Sequence, residues 1–427
     1  MPAFASPDFR RLFFNDFFTA ASRWALMLAR GWLVFELTNS SFAVGIVTFA
    51  AMAQFIFVSP VAGALADRLD RRRQAMVGVA LLALSAATLA ALTLGGGVEV
   101  WHVVVLAAVD GIAVSGSQPA LQALIPSVVP REQLLNAVSL SGVTRHGSRF
   151  AGPLLGGILL ETLGAGFVFL FAAIGLTFAL RQLTRLRYRP TERAAEATAE
   201  GSAARVAVRV IARDVRDGFA YAFADRRLVV ILGCVAIHCG FTMAFDSMMP
   251  RLATDLGGGS STYSAIVMGV GAGAITGTLA ISMVRGHALQ GRALALTGAG
   301  SGLAMLVLGL VETPALAVLG AALAGGTQAT YMAISLTLVL TIVPDSMRGR
   351  VTAIYMMLAA GHMAMMNFGF GWLADVIGVR PLLIVPGIAW LVFFGIAALS
   401  LSELRHVLRH GEFRPRTAMA GAGVVGD

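Results

Sequence analysis

The 427-residue sequence contains no lysine: all 32 of its basic Lys and Arg residues are arginines. Phosphate-gripping loops need a lysine after their glycines, and retinal or pyridoxal Schiff bases need a lysine amine. An ATP-driven pump and a retinal pump contained within this chain are therefore excluded. Charge is scarce as well, at 13% against 57% hydrophobic residues, with a mean hydropathy of +0.79. Soluble chains carry about a quarter charged residues, so this composition belongs to an integral membrane protein with little length left for a soluble catalytic domain. Cysteine is nearly absent. Cys234 and Cys239 lie in an apolar run, spaced neither as CxxC nor as a ligand set, and read as free core thiols. No nucleophile-base pair, dinucleotide loop or metal ligand set is legible, and His406 with His410 is too little for one. The chain is not expected to be an enzyme or to carry a cofactor or metal.

The formal charge of +9 raises the question of nucleic acid, which the placement of the arginines answers. Apolar windows broken at charge or turn clusters give spans near 12–36, 42–66, 75–96, 101–125, 133–160, 166–184, 228–250, 261–284, 292–311, 315–343, 350–376 and 381–402. From Met1 to Phe9 the chain runs through Arg10 and Arg11 straight into apolar residues, without a short h-region or cleavage site, so this segment is expected to stay as the first span. The termini and the loops after even-numbered spans hold 26 arginines, the opposite loops only Arg251 and Arg380, and the spans hold Arg23, Arg30, Arg145 and Arg149. Arginine-rich loops remain in the cytoplasm, which places both termini inside and explains most of the charge without nucleic acid.

Residues 1–184 and 228–402 thus read as two six-helix bundles, with a linker at 185–227 and a tail at 403–427. The linker spaces Val206 and Val210 among Arg209, Arg213 and Arg216, as a surface amphipathic helix does; a regulatory partner site is the alternative. The halves share a weak collinear repeat at an offset of 214 residues: Gly111 to Pro130 matches Gly325 to Pro344, Gly157 matches Gly371, Glu161 matches Asp375, and Gly164 matches Gly378. Transporter folds arise by such duplication around a central path.

After the second span comes GALADRLDRRR, Gly63 to Arg73, which resembles the loop signature of the major facilitator superfamily. The resemblance implies that Gly63 permits close helix approach and that Asp67 latches against the start of the eleventh span, with Arg68, Arg71 and Arg72 facing lipid phosphates and helix ends. In the family it resembles a glycine often stands where this chain has Asp70, so the resemblance implies a left-handed turn that Asp tolerates less readily. Further stretches resemble the branch that contains the enterobactin exporter and the macrolide-efflux proteins: WLVFELTNSSFAVG from Trp32 to Gly45, Pro126 to Ala137, RFAGPLLGG from Arg149 to Gly157, and PDSMRGR from Pro344 to Arg350. Within these, Gly152, Pro153, Gly156 and Gly157 are similar to an antiporter signature and form a candidate hinge. Ser148 stands where that pattern has glycine. Ala107 falls roughly where many proton-coupled exporters carry an arginine.

Charges inside a membrane are costly and usually face a wet cavity or a partner. Asp16, Arg23 and Arg30 recur at intervals of seven on one face of the first span, which is expected to line a cavity; Asp16 and Arg30 could instead snorkel to the headgroups. Ser141, Thr144, Arg145, Ser148 and Arg149 form a polar face on the fifth span, and His238, Thr242 and Asp246 are four apart on the seventh. Asp110, Asp246 and Asp16 are the candidate proton carriers, Asp110 first because it lies near mid-span, with a structural salt bridge as the competing role for each. His238, a candidate for the substrate cavity, is more often a satisfied core histidine in such a setting. Gln118, Gln328, Tyr331 and Asn367 add hydrogen-bonding groups to the candidate substrate cavity. Met243, Met248, Met249, Met356, Met357, Met363, Met365 and Met366 suit either a site that repacks around ligands or ordinary helix filling. Four intramembrane arginines against three acids favour anionic or neutral amphiphiles over cations.

The expected fold class is all-α and integral to the membrane, with twelve transmembrane helices in two pseudo-symmetric six-helix bundles. The expected function is secondary active transport in the cell membrane. It is read as a proton-coupled, monomeric exporter of siderophore-like or drug-like small molecules, working by alternating access. An importer of the same fold, or a non-transporting membrane scaffold or enzyme, is the alternative.

Overall fold

The computed structural model describes residues 2–58, 70–130, 133–187, 213 and 216–414. Every regular element among them is helical, and fourteen are α-helices. In the first half these are α1 (Pro7–Thr38), α2 (Ser41–Met52, helical again to Val58), α3 (Arg71–Leu94), α4 (Val100–Val128), α5 (Leu134–Leu163) and α6 (Ala165–Thr184). In the second they are α7 (Arg226–Thr242), α8 (Met249–Asp255), α9 (Ser260–Met283), α10 (His287–Leu310), α11 (Pro314–Ile342), α12 (Asp345–Ile377), α13 (Val379–Ser400) and α14 (Ser402–His410). Ten segments are long and apolar enough to cross a membrane, with Arg226–Asp255 counted as one. The other two of the expected twelve, α1 and α5, are 32 and 30 residues long, carry Arg23, Arg30, Arg145 and Arg149, and are not among those ten.

Local chemistry sets the ends. Ser6 caps α1 by accepting from the Phe9 N–H, Pro7 occupies the first turn where no donor is needed, and Asn39 ends the helix in the left-handed region at φ 50°. Asp70 departs from the left-handed turn that the loop signature suggests. It sits at φ −62°, ψ 108°, and its carboxylate caps α3 by accepting from the N–H groups of Arg72 and Arg73. An aspartate suits that position because it satisfies two orphan donors at the positive end of a helix.

The expected single span at 228–250 is broken. α7 ends at Thr242, a 3-10 turn covers Asp246–Met248, and α8 restarts with Pro250 in its first turn. Pro250 suits the first turn of α8, where its missing N–H costs least, although Pro153 sits inside an unbroken α5, so proline alone does not end a helix here. Because α7 ends at Thr242, His238, Thr242 and Asp246 do not share one helical face.

Within the first half α1 packs on α5 and α6, α3 on α4 and α6, and α2 on α4. The second half repeats the scheme with α9 on α11, α10 on α11 and α13, and α7 on α12, while α2 against α12 and α5 against α9 join the halves. The 214-residue repeat survives in backbone detail. Gly164 (φ 86°, ψ 174°) and Gly378 (φ 83°, ψ 167°) make the same left-handed turn between consecutive helices, a conformation that penalises any Cβ. The short α14 folds back so that Val407 and Leu408 approach Gly291 of α10.

Candidate functional site

The two halves meet around a small, partly open cavity. Its first-half wall is Trp24, Met27 and Leu28 of α1 with Arg149 of α5; its second-half wall comes from the α7–α8 break, through Phe245, Asp246 and Met249, and from α9, through Tyr263 and its apolar neighbours. Asp246 reaches this wall from the 3-10 turn that separates α7 from α8. Arg149 lies 4.9 Å over the Trp24 ring, a cation–π contact, and is within Coulombic reach of Asp246 on the other half. An arginine, an acid, an indole and a phenol thus border one space between two bodies.

The close fit of α1 and α5 explains their polar stripe. The Ser148 hydroxyl donates to the Phe17 carbonyl at 3.2 Å. A Cβ on Gly152 would overlap the Ala21 carbonyl and Trp24, and one on Gly156 would press on Ala25. Residues 148, 152 and 156 therefore meet 17, 21 and 25 at successive turns, and Ser148 in place of glycine adds an interhelical hydrogen bond. Gly157 points elsewhere, against Ser264 of the other half, as its repeat mate Gly371 points against Ser41 and Phe42. Pro153 is buried within α5. Thr144 turns its hydroxyl back on its own helix, to Leu140.

The charged stripe of α1 does not form the cavity wall expected of it. Arg30 makes an ion pair with Asp110 of α4, both side chains under a tenth exposed, and Arg23 is within Coulombic reach of the same carboxylate. A buried guanidinium requires a partner, and α4 supplies it inside the first half, leaving Trp24, Met27 and Leu28 to face the gap. One oxygen of Asp110 and the Arg30 Nε have no hydrogen-bond partner. Asp16 is half-buried near the start of α1, and Gln118 is half-buried on α4. The side chain of Arg145 lies outside the described residues, as do Gly63, Asp67 and Arg68. Of that loop, Arg71 donates to the Ala123 carbonyl at 3.2 Å and Arg72 to Leu183 at 2.8 Å and to Thr184, binding the ends of α4 and α6.

Four candidates of the second half are committed to structure. Gln328 of α11 donates to the Thr242 carbonyl at 2.5 Å, satisfying the end of α7. Asn367 of α12 accepts from the Ser247 N–H at 3.0 Å, and its carbonyl takes the Ser247 hydroxyl, which pins the break. His238 stacks on Tyr331 at 4.2 Å and meets Trp390 edge-on at 4.9 Å inside the bundle. Thr242 bonds back to the His238 carbonyl. None of these side chains lines the cavity. Sequence reasoning missed Trp24 and Tyr263, which do. Trp24 adjoins Arg23, and Tyr263 is the only aromatic residue in α9, but neither signal says which neighbour each will face.

One end of the gap is closed. At the end where α1 passes to α2, Asp375 of α12 accepts from the Ser41 N–H at 2.7 Å, the Phe42 N–H at 3.1 Å and the Ser40 hydroxyl at 2.5 Å. Trp32 stacks on Tyr263 at 6.0 Å, and Phe42 meets Phe368 at 5.1 Å, on the same side. Among the described residues no cluster of three or more His, Cys, Asp or Glu side chains is placed to hold a metal ion.

The family model for transmembrane secretion effectors matches residues 1–419. The chain is similar to the enterobactin exporter EntS of Citrobacter koseri, 25% identical over 350 residues that cover 82% of this chain and 81% of that one. It is 28% identical to EntS of Escherichia coli O81 over 351 residues with the same coverage. Its fold is similar to the crystal structure of a peptide transporter, POT, in complex with sulfate, at a TM-score of 0.72, 14% identity and coverage of 95% and 96%. A mutant form of the nucleoside transporter NupG superposes with a TM-score of 0.70 at 13% identity, covering 92% of this chain and 100% of that one. The chain is a multi-pass membrane transporter rather than an enzyme, and it belongs to the transmembrane secretion effector family of the major facilitator superfamily.

Proposed function

We propose that the protein is a proton-coupled exporter of amphipathic small molecules, anionic or neutral in preference to cationic, that works by alternating access. The observation that carries this reading is the cavity between the halves, bordered by Arg149 and Asp246 from opposite sides and closed at one end by Asp375. A guanidinium beside an indole holds an anionic or phenolic ring by charge and by stacking. Asp246 faces that guanidinium across the gap, so substrate and proton compete for linked groups. Asp110, committed to Arg30, serves the first half as a structural pair, and Asp16 remains the third candidate carrier. Rocking of the halves about the Gly152, Pro153, Gly156 and Gly157 segment would open the end that Asp375 closes.

In this reading α1 and α5 complete the twelve spans, residues 1–184 and 228–402 are the moving bodies, 185–227 links them, and 403–427 is the tail. Arginine placement supports cytoplasmic termini in the cell membrane. The enterobactin exporters it resembles support outward transport of siderophore-like cargo. A monomer, substrate, protons and lipid suffice for the cycle.

The test is expression in a host stripped of its own pumps, with resistance profiling against phenolic and anionic amphiphiles, followed by uptake into inverted vesicles under an imposed pH gradient. Export predicts lower cellular accumulation that a protonophore abolishes. Raised accumulation identifies an importer, and unchanged accumulation with no gradient-driven flux for every compound overturns the reading.

A further inference from the structure

Cys239 and Met243 lie one turn apart, at the end of α7, and meet Met332 of α11. The Cys239 Sγ is 3.7 Å from the Met243 Sδ and 3.6 Å from the Met332 Sδ, and the Tyr355 hydroxyl of α12 lies 3.6 Å from the same Met332 sulfur. The thiol is free and buried, while both methionines are half-buried. We propose that these three sulfurs form a binding site for a soft monovalent cation of the Cu(I) or Ag(I) class. The site rests on sulfur geometry and not on the transport reading.

Three features carry the assignment. A thiol has one hydrogen and cannot donate to two thioethers at once, so the Cys239 sulfur meets two thioether sulfurs with a hydrogen for only one of them. Sulfurs that ligate one ion at about 2.3 Å in a plane stand about 4 Å apart, within a few tenths of an ångström of both distances. The ligand chemistry also selects among ions. Two thioethers and a thiol offer nothing to Mg or Ca, which demand oxygen, and too little charge for a structural Zn site, whereas thioether with thiolate is the soft set that Cu(I) takes. His238, next in sequence, is stacked on Tyr331 and does not complete a harder set. Binding replaces the thiol hydrogen: Cys239–SH and M⁺ give neutral Cys239–S–M and a proton released to water. A neutral product suits the apolar cluster to which Cys239, Tyr355 and Ile334 belong better than either free ion does.

The experiment titrates the full-length protein, purified in detergent and kept reduced, with Ag(I) and with Cu(I) against a competing chelator. One equivalent is expected to bind, Cys239→Ser to weaken it by at least about 10-fold, and Cys234→Ser to leave it unchanged. X-ray absorption of the Cu(I) form is expected to give a shell of three sulfurs at about 2.3 Å. Equal affinity in wild type and Cys239→Ser, or a shell containing nitrogen or oxygen, overturns the proposal. Should Cys239→Ser fail to fold, Met243→Leu with Met332→Leu keeps the side-chain volume; unchanged affinity in that double variant overturns it as well.

Discussion

Asp375, near the end of α12, caps the first turn of α2 in the opposite half, its carboxylate 2.7 Å from the Ser41 N–H. A helix start leaves orphan N–H groups that ordinarily find a partner in their own chain segment. Here Ser40 caps Ala43 while Asp375 takes Ser41 and Phe42, so opening this end must break hydrogen bonds to a charged acceptor. Asp375→Ala removes a cap worth about 0.5–2 kcal/mol, which shifts an open-to-closed ratio by about 2- to 30-fold. Spin-label distances between the tips of α2 and α12 are expected to lengthen in that variant, and a distribution identical to wild type refutes the latch.

The Arg30–Asp110 pair gives a test that separates stability from transport. Arg30→Ala alone leaves a buried carboxylate without its guanidinium and should destabilise the fold by about 3–5 kcal/mol. Arg30→Met with Asp110→Leu should recover most of that loss, read as thermal stability in detergent. If the pair is structural, the double variant exports; if Asp110 also carries the proton, it folds and is inactive.

Asp246→Asn keeps the shape of the cavity wall and removes its carboxylate, the proposed coupling group. Exchange of substrate down its own gradient is expected to persist in proteoliposomes, with gradient-driven accumulation lost. Accumulation that still follows the proton gradient assigns coupling to another acid.

Gly152→Ala places a methyl group on the Ala21 carbonyl and the Trp24 Cβ. Overpacking of this kind costs about 1–3 kcal/mol and pushes α1 from α5 where Trp24 meets Arg149. Gly147, with open space around its Cα, is the control at which alanine should be silent. Thermal stability and efflux measured on both variants check the contrast.

The tail offers a pH readout outside the membrane. On α14, burial, His410 and Arg414 together hold the pKa of His406 below its usual range, against weaker opposition from Glu403 and Glu412. The unfolded tail then binds the proton more readily than the docked one, so docking is at full strength above the ordinary histidine range and weakens as pH falls through it. Protection of residues 402–410, corrected for the intrinsic pH dependence of amide exchange, should fall between about pH 7 and 5, and His406→Gln should flatten that response.

Much of this molecule was legible in its residues. Apolar run lengths placed the helices within a few positions, arginine asymmetry carries the orientation argument, and the offset that pairs Gly164 with Gly378 reappears as matching backbone angles. These are local or summed properties, fixed by what bilayer thickness and positive φ demand of any chain. The break before Asp246 was not legible: Pro250 starts α8, but Pro119, Pro126, Pro153 and Pro386 lie inside continuous helices, so a proline by itself does not mark one. Nor could sequence decide pairing. Periodicity put Arg23 and Arg30 on one face of α1 but not which neighbour that face would meet, and only the packing of α4 turned Arg30 to Asp110 and gave the gap to Trp24. Gln328 and Asn367 look like recognition groups in a sequence, and become helix-end partners once α11 and α12 lie beside the broken α7. Helix formation depends on a few neighbouring residues, whereas the partner of a buried polar group depends on which helices close around it, and that is settled only when the whole bundle has packed.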